Sequence, residues 1–184
     1  MKTNVLSRSL HDLGLSAWFG GTLANAVALN RAAAAASDAR STGAVTNAGW
    51  NAWTPVNAAA IGAHLVGSVG QLVGNSDRIA GQQGVGTMSV VKTVLTAAAL
   101  GVTGYSRVLG RKVADYDDVP AASGTEPTAV TPPEVAKAQQ QLKALQWAVP
   151  ALTGLLVVIT SFAGEQQRPT SVLEGVTDRL KVGR

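Results

Sequence analysis

The chain has 184 residues, enough for one compact domain, and its formal net charge is +4. Charged residues make up 14% of it, well below the roughly 25% of ordinary soluble proteins, and the basic ones are scattered rather than interleaved with aromatic residues, which argues against nucleic-acid binding. No cysteine is present, so disulfides, thiolate metal sites and c-type haem attachment are excluded.

Residues 13–29 form the first predicted membrane-spanning helix. Gly20, Ala24 and Ala28 recur at every fourth position, a spacing that lets a second helix approach closely. Glycine weakens a helix in water, but lipid enforces helical hydrogen bonding because unpaired backbone groups are too costly there. Asn25 is polar and would need a partner within a bundle. We therefore expect this helix to pack against a neighbour through its small residues.

Residues 30–52 begin with an alanine run and then become polar, which indicates a connection outside the membrane. Gly43 and Gly49 interrupt the helical pattern in this segment. Trp50 and Trp53 follow, and tryptophan is enriched at the level of the lipid headgroups. We expect these two side chains to act as interface anchors.

The second predicted span covers residues 53–73. Pro55 suits the first turn of this helix, where its missing N–H costs nothing. Residues 74–86 are a short glycine-rich turn, which predicts that the second and third spans are antiparallel neighbours. Small residues provide the predicted packing face of this span and its end, namely Ala63, Gly67, Gly70 and Gly74.

The third predicted span covers residues 87–109. Ala97 and Gly101 form another small-residue face, which we expect to contact a helix of this chain or of a partner. Lys92 lies near the start of the span, from which its long side chain can reach the surface. Tyr105 is followed by basic residues, a pattern typical of the membrane interface.

Residues 113–136 hold three aspartates and four prolines, which predicts an extended, water-exposed loop. Pro133 then suits the first turn of a polar helical segment over residues 134–145. The tail, residues 165–184, carries apolar residues at fourfold spacing. It could be a short amphipathic helix lying on the membrane or on a partner.

Residues 144–164 give the strongest signal in the chain, because no charge interrupts them. Their aliphatic and aromatic side chains favour insertion into a bilayer by roughly 3 to 5 kcal/mol in total. Pro150 predicts a kink or a loosened turn near the start of this helix. The sequence as a whole predicts an all-α, single-domain integral membrane bundle of four transmembrane helices, located in the plasma membrane.

His64 is the only ionisable residue that falls well inside a predicted span. Such a residue is a functional candidate, either as a proton relay or as a haem ligand. The alternative is a neutral histidine that is hydrogen-bonded to Asn25, Gln71 or a backbone carbonyl. Haem ligation by two histidines needs a second one at similar depth, and we expect His11 at the membrane edge.

Other polar residues give weaker signals for chemistry. His11 and Asp12 could form a catalytic pair, but no nucleophile or metal ligand accompanies them, and Asp12 more simply caps the first helix. The triplet Asp115, Asp117 and Asp118 could bind a cation or merely make the loop soluble. We predict no catalytic, metal-binding or cofactor-binding residues.

Two stretches carry a family resemblance. LHDLGLSAWFGGTLANAVALNRAA, residues 10–33, and TPVNAAAIGAHLVG, residues 54–67, flank the tryptophan pair. Together they resemble a family of small actinobacterial membrane proteins, the prokaryotic respiratory supercomplex association factors, which accompany the cytochrome bcc–aa3 oxidase. The resemblance implies an accessory subunit that contacts haem-containing core subunits and membrane lipid but holds no cofactor itself. The alternative function is a small transporter or proton-handling protein centred on His64.

Overall fold

The computed structural model describes residues 4–116, 119–165 and 177–178 of the chain. Helices form most of this part, and one small hairpin interrupts them. The helices are α1 (Val5–Ala24), α2 (Asn30–Ala34), α3 (Ala39–Gly74), α4 (Ser76–Gly81), α5 (Val85–Ala114) and α6 (Pro133–Glu165), with a π-helical turn, Asn25–Leu29, between α1 and α2. The strands are β1 (Ala121–Ser123) and β2 (Glu126–Pro127). The predicted amphipathic tail falls almost wholly outside the described residues.

Three helices are long and apolar enough to cross a membrane, namely α3, α5 and α6. They contain the second, third and fourth predicted spans. The helix that contains most of the first predicted span, α1, is not among them; it begins at Val5, carries Arg8 and Asp12, and is followed by the π-helical turn. The fold is therefore that of a mostly helical, multi-pass membrane protein.

The helices pack in two main pairs, α1 with α3 and α5 with α6, and α1 also contacts α6. In contrast, the backbones of α3 and α5 stay apart, and the two helices meet mainly through side chains. The prediction that the second and third spans are antiparallel neighbours agrees with two side-chain contacts, Asn51 with Arg107 and His64 with Thr96, although the two backbones do not pack closely. Gly67 and Gly70, part of the predicted packing face of the second span, face α1.

The α1–α3 interface depends on glycines at its closest approach. A side chain at Gly14 would meet the backbone of Ala60 and His64, with the His64 amide nitrogen only 2.5 Å away. A side chain at Gly67 would meet the backbone of Ser7 and His11. These contacts run in opposite directions along the two helices, which are therefore antiparallel and in nearly direct backbone contact.

Helix α3 begins fourteen residues before the predicted start of the second span. Asp38 caps it by accepting hydrogen bonds from the backbone N–H groups of Arg40, at 2.9 Å, and Ser41, at 3.0 Å. The Ser41 N–H and hydroxyl groups lower the pKa of Asp38 to about 2. Pro55 consequently lies inside the helix, so its predicted place in the first turn is wrong.

The two glycines expected to break the helix, Gly43 and Gly49, also lie inside α3. Each lies at a close contact rather than at a helix end. A side chain at Gly43 would collide with the carbonyl of Val119, and one at Gly49 would collide with the side chain of Leu29. The interpretation of residues 30–52 as a connection is therefore correct only for the short stretch before α3.

The segment between α5 and α6 is more ordered than the predicted water-exposed loop. Antiparallel pairing of β1 with β2 closes a short hairpin, and the Thr131 hydroxyl donates to the Pro120 carbonyl at 2.6 Å. Val119 belongs to a hydrophobic cluster with residues of α5 and α6. The prediction of full exposure is wrong for four buried residues, Val119, Ala121, Thr125 and Thr131. Of the acidic triplet, Asp115 is exposed and the other two lie outside the described residues.

Candidate functional site

A pair of buried histidines occupies the centre of the α1–α3 interface. The exposed fraction is 1% for His11 and 0% for His64, and their ring centroids are 4.5 Å apart. Trp18, also fully buried, lies on the other side of His64 with a centroid distance of 6.1 Å. His11, which was predicted at the membrane edge, lies at the same level as His64, because the close contacts of Gly14 and Gly67 fix the register of α1 against α3. We call His11 and His64 the histidine pair.

Hydrogen bonds around the histidine pair are few and mostly long. His11 Nδ1 lies 2.8 Å from Asp12 Oδ1, and its Nε2 is buried with no hydrogen-bond partner among the described residues. His64 Nδ1 lies 3.4 Å from the carbonyl oxygen of His11, and its Nε2 lies 3.5 Å from Thr96 Oγ1 of α5. This arrangement suits a neutral His64 that donates to a backbone carbonyl, one of the partners that the sequence analysis proposed.

The other expected partners of His64, Asn25 and Gln71, do not contact its ring in the hydrogen bonds of the described residues. The Gln71 amide nitrogen is buried without a partner there. Asp12 bonds to His11 rather than acting as the first-turn cap of the helix, since α1 begins seven residues earlier, at Val5. The capping role predicted for Asp12 is therefore wrong.

A polar cavity of about 290 Å³ lies between α1, α3, α5 and α6, and Asp12, the hydrogen-bond partner of His11, is part of its lining. Its lining includes Arg8, Asp12 and Lys92, so both charge signs are present. Lys92 also lines a second cavity, between α3 and α5, which places its side chain against the bundle rather than directing it outward. The hydroxyl of Thr160 reaches the polar cavity and has no hydrogen-bond partner within the described part of the chain.

The contact between the two histidine rings excludes the haem site considered from the sequence. Two axial ligands must leave the iron and the porphyrin between their ring nitrogens, and rings in contact leave no such space. Residues 4–116, 119–165 and 177–178 contain no group of three or more histidine, aspartate or glutamate side chains placed to bind a metal ion. The histidine pair can take part in proton exchange and hydrogen bonding.

The two tryptophans expected at the lipid interface face other helices instead. Trp50 Nε1 donates to Asn30 Oδ1 at 3.2 Å, and the ring of Trp53 packs against Gly21. Both line a groove between α3 and α5. Trp147 of α6, for which the sequence analysis proposed no role, is 50% exposed and is a better candidate for an outward-facing anchor.

Tyr105, the third predicted anchor, is 48% exposed, and its hydroxyl donates to Gln141 Oε1 at 3.2 Å. It thus links α5 to the polar start of α6 while much of its ring faces outward. This position is compatible with the interface depth expected from the sequence.

The predicted small-residue faces fall into two groups. Gly67 and Gly70 face α1, where their neighbours are the backbone of His11 and the side chain of Ser7, and Gly74 faces Asn4. Ala63 is partly buried. The other predicted positions are exposed, although Ala97 also lines the cavity between α3 and α5: Gly20, Ala24, Ala28, Ala97 and Gly101.

Three helices able to cross a membrane, with many valines on their outer faces, define the class as a multi-pass membrane protein. Within the class, no family model, no curated protein and no solved structure matches the chain. The function is therefore argued from the geometry described above and from the resemblance noted in the sequence.

Proposed function

We propose that the chain is a non-catalytic accessory or assembly subunit of an actinobacterial respiratory supercomplex of the cytochrome bcc–aa3 type. In this proposal it resides in the plasma membrane, binds core subunits of the complex, and holds no cofactor. The family resemblance of residues 10–33 and 54–67 suggests the complex. The observation that carries the accessory role is the uncovered small-residue face of α5.

The outer face of α5 lacks neighbours in the described part of the chain. Only 11% of its most apolar stretch is buried. An added side-chain atom at Gly101 would meet nothing within 4 Å, and Val94 is exposed on the same side of the helix. Small residues let two helix backbones approach closely within a membrane. A helix face that contacts only lipid has no need of them, because bulky apolar side chains suit lipid equally well. This face supports docking to a helix of a larger membrane protein.

The proposal includes four membrane-crossing helices, with α1 as the fourth. Residues 5–34 are helical without a gap, although the π-helical turn interrupts the regular pattern. Contacts extend from Asn4 beside Gly74 to Leu29 beside Gly49. Helix α1 therefore runs alongside the whole of the second predicted span, residues 53–73. A helix in that position crosses the bilayer whenever its partner does.

Native electrophoresis of solubilised membranes tests the accessory role. The wild-type chain should migrate with oxidase haem. Gly101→Leu should release it from the haem-containing band, because the added side chain fills the space for a partner helix. Gly20→Leu is the matched control, since Gly20 is equally open but lies on α1. Migration of the wild-type chain apart from haem, or equal behaviour of the two variants, would contradict docking through α5.

A second candidate function, proton handling or transport, is favoured by the histidine pair, because Asp12, the partner of His11, lines the polar cavity. The two ring centroids are 4.5 Å apart, and His11 contacts Asp12. The groups needed for a short proton relay are therefore present. His64→Gln distinguishes the two functions. Loss of transport or respiration in an intact complex would favour proton handling, whereas normal activity would favour the accessory role.

A further inference from the structure

The separation of α3 from α5 opens an apolar groove at the end of the bundle that holds the hairpin. It has a volume of about 250 Å³ and is lined by α3, α5, α6 and residues of the hairpin. We call it the interhelical groove. Its apolar wall includes Ile61, Leu142, Leu145 and Val149. An apolar groove between membrane helices can hold a hydrocarbon chain.

The interhelical groove also contains polar atoms that the described residues leave unsatisfied. Four of them have almost no exposed surface and no hydrogen-bond partner: Trp53 Nε1, Asn57 Oδ1, Thr103 Oγ1 and Arg107 Nε. Native structures pair nearly all such buried groups. Because the four residues line one cavity and three of the atoms are donors, a ligand with oxygen acceptors would suit Trp53, Thr103 and Arg107.

Arg107 gives the groove its charge. It is the only charged side chain of the lining, and none of the ion pairs of the described residues includes it. Its Nη1 donates to Asn51 Oδ1 at 3.0 Å, which holds the guanidinium in place without neutralising it. A guanidinium beside an apolar wall is complementary to an anionic group attached to a hydrocarbon.

The depth of Arg107 suits a lipid headgroup. It lies near the end of the third predicted span, and Asn51 lies just before the second. Lys143 and the exposed Trp147 flank the start of the fourth span on α6. The polar end of the groove is thus at the level where spans end, and its apolar wall extends toward the bundle centre.

We infer that the interhelical groove binds one anionic phospholipid, with the phosphate at Arg107 and an acyl chain between α3 and α5. The lipid supplies packing that α3 and α5 do not supply to each other. This inference does not depend on membership of a respiratory supercomplex.

Native mass spectrometry of the full chain in a non-ionic detergent tests this inference, with phosphatidylglycerol and phosphatidylcholine as probes. One phosphatidylglycerol should bind per chain at a concentration on the order of tenfold below that needed for phosphatidylcholine, as expected for a charge-assisted contact. Arg107→Gln should remove the preference. Arg111→Gln is the matched control, because Arg111 is exposed one turn further along α5 and is not part of the lining.

Thermal unfolding in the same detergent provides a second readout that does not require Arg107→Gln to fold as well as the wild type. Added phosphatidylglycerol should raise the Tm of the wild type and of Arg111→Gln, but not that of Arg107→Gln. Three results would overturn the inference: equal binding of the two lipids by the wild type, equal effects of the two substitutions, or the same Tm rise with inorganic phosphate alone. So would a lipid-free dimer, which would show that a second copy fills the groove.

Discussion

Replacing Gly67 with alanine adds one carbon atom at the closest approach of α1 and α3. The new atom would lie 2.7 Å from His11 Cα and closer still to neighbouring backbone atoms, whereas ordinary contact begins at about 3.4 Å. Backbone atoms cannot rotate out of the way as a flexible side chain can. Helix α1 must therefore retreat, which disturbs the histidine pair and the packing of Trp18.

The expected loss of stability follows from two opposing terms. Overpacking of a well-packed interface costs about 1 to 3 kcal/mol, while replacing glycine by alanine within a helix returns about 0.5 to 1 kcal/mol. Gly62 is the matched control, because it lies on the same helix and an added atom there meets nothing within 4 Å. Gly62→Ala should therefore be neutral or slightly stabilising. The two variants should differ by about 2 kcal/mol.

Thermal unfolding of both variants in one detergent measures this difference. A gap of 2 kcal/mol corresponds to roughly 4 to 8 °C in Tm for a chain of this size. Gly67→Ala should unfold below the wild type and Gly62→Ala at or above it. Equal stability of Gly67→Ala and Gly62→Ala would contradict the direct backbone contact between α1 and α3.

Three further predictions concern other contacts. Gly70→Leu should lower detergent stability because the leucine displaces Ser7, and an unchanged Tm would count against this packing. The pKa of Asp38 is lowered to about 2, so its cap stabilises α3 fully above the unfolded pKa of about 3.9 and is lost as the pH falls through 2. The Tm of the wild type should therefore exceed that of Asp38→Ala at pH 6 and match it near pH 2. A Tm difference that does not change with pH would refute the cap. Thr131→Val should cost about 1 to 3 kcal/mol by removing the bond to Pro120, seen as faster proteolysis of the hairpin segment; equal cleavage rates would contradict this.

Long apolar runs made the membrane class predictable. Residues 53–73, 87–109 and 144–164 all lie within helices long enough to cross a bilayer, because lipid leaves the backbone few alternatives to a helix. The signal was weaker for residues 13–29, where glycines and polar residues dilute it. We propose them as a span because of their packing against α3, which hydropathy cannot detect.

The positions of individual glycines were harder to interpret. Glycine can mark the end of a helix or a close approach of two backbones, and the two cases look alike in sequence. Gly43 and Gly49 looked like helix breakers but lie at close contacts inside α3. Gly20 and Gly101 were predicted to contact a helix of this chain or of a partner, and within the described residues an added atom at either meets nothing within 4 Å.

The histidine pair could not be found without the register of α1 against α3. His11 and His64 are 53 positions apart, and no local pattern connects them. The contacts of Gly14 with His64 and of Gly67 with His11 set that register and bring His11 to the level of His64. The inward orientation of Trp50 and Trp53 was missed for a similar reason, since it depends on Asn30 and Gly21 on another part of the chain.

Carbonate extraction of membranes from cells that produce the chain tests the central claim most directly, because alkaline carbonate releases peripheral proteins and leaves integral ones in the lipid fraction. The account predicts that the full chain stays with the membrane pellet and is released only by detergent. Recovery of the folded chain in the carbonate supernatant would contradict a bundle of membrane-crossing helices and every inference built on it.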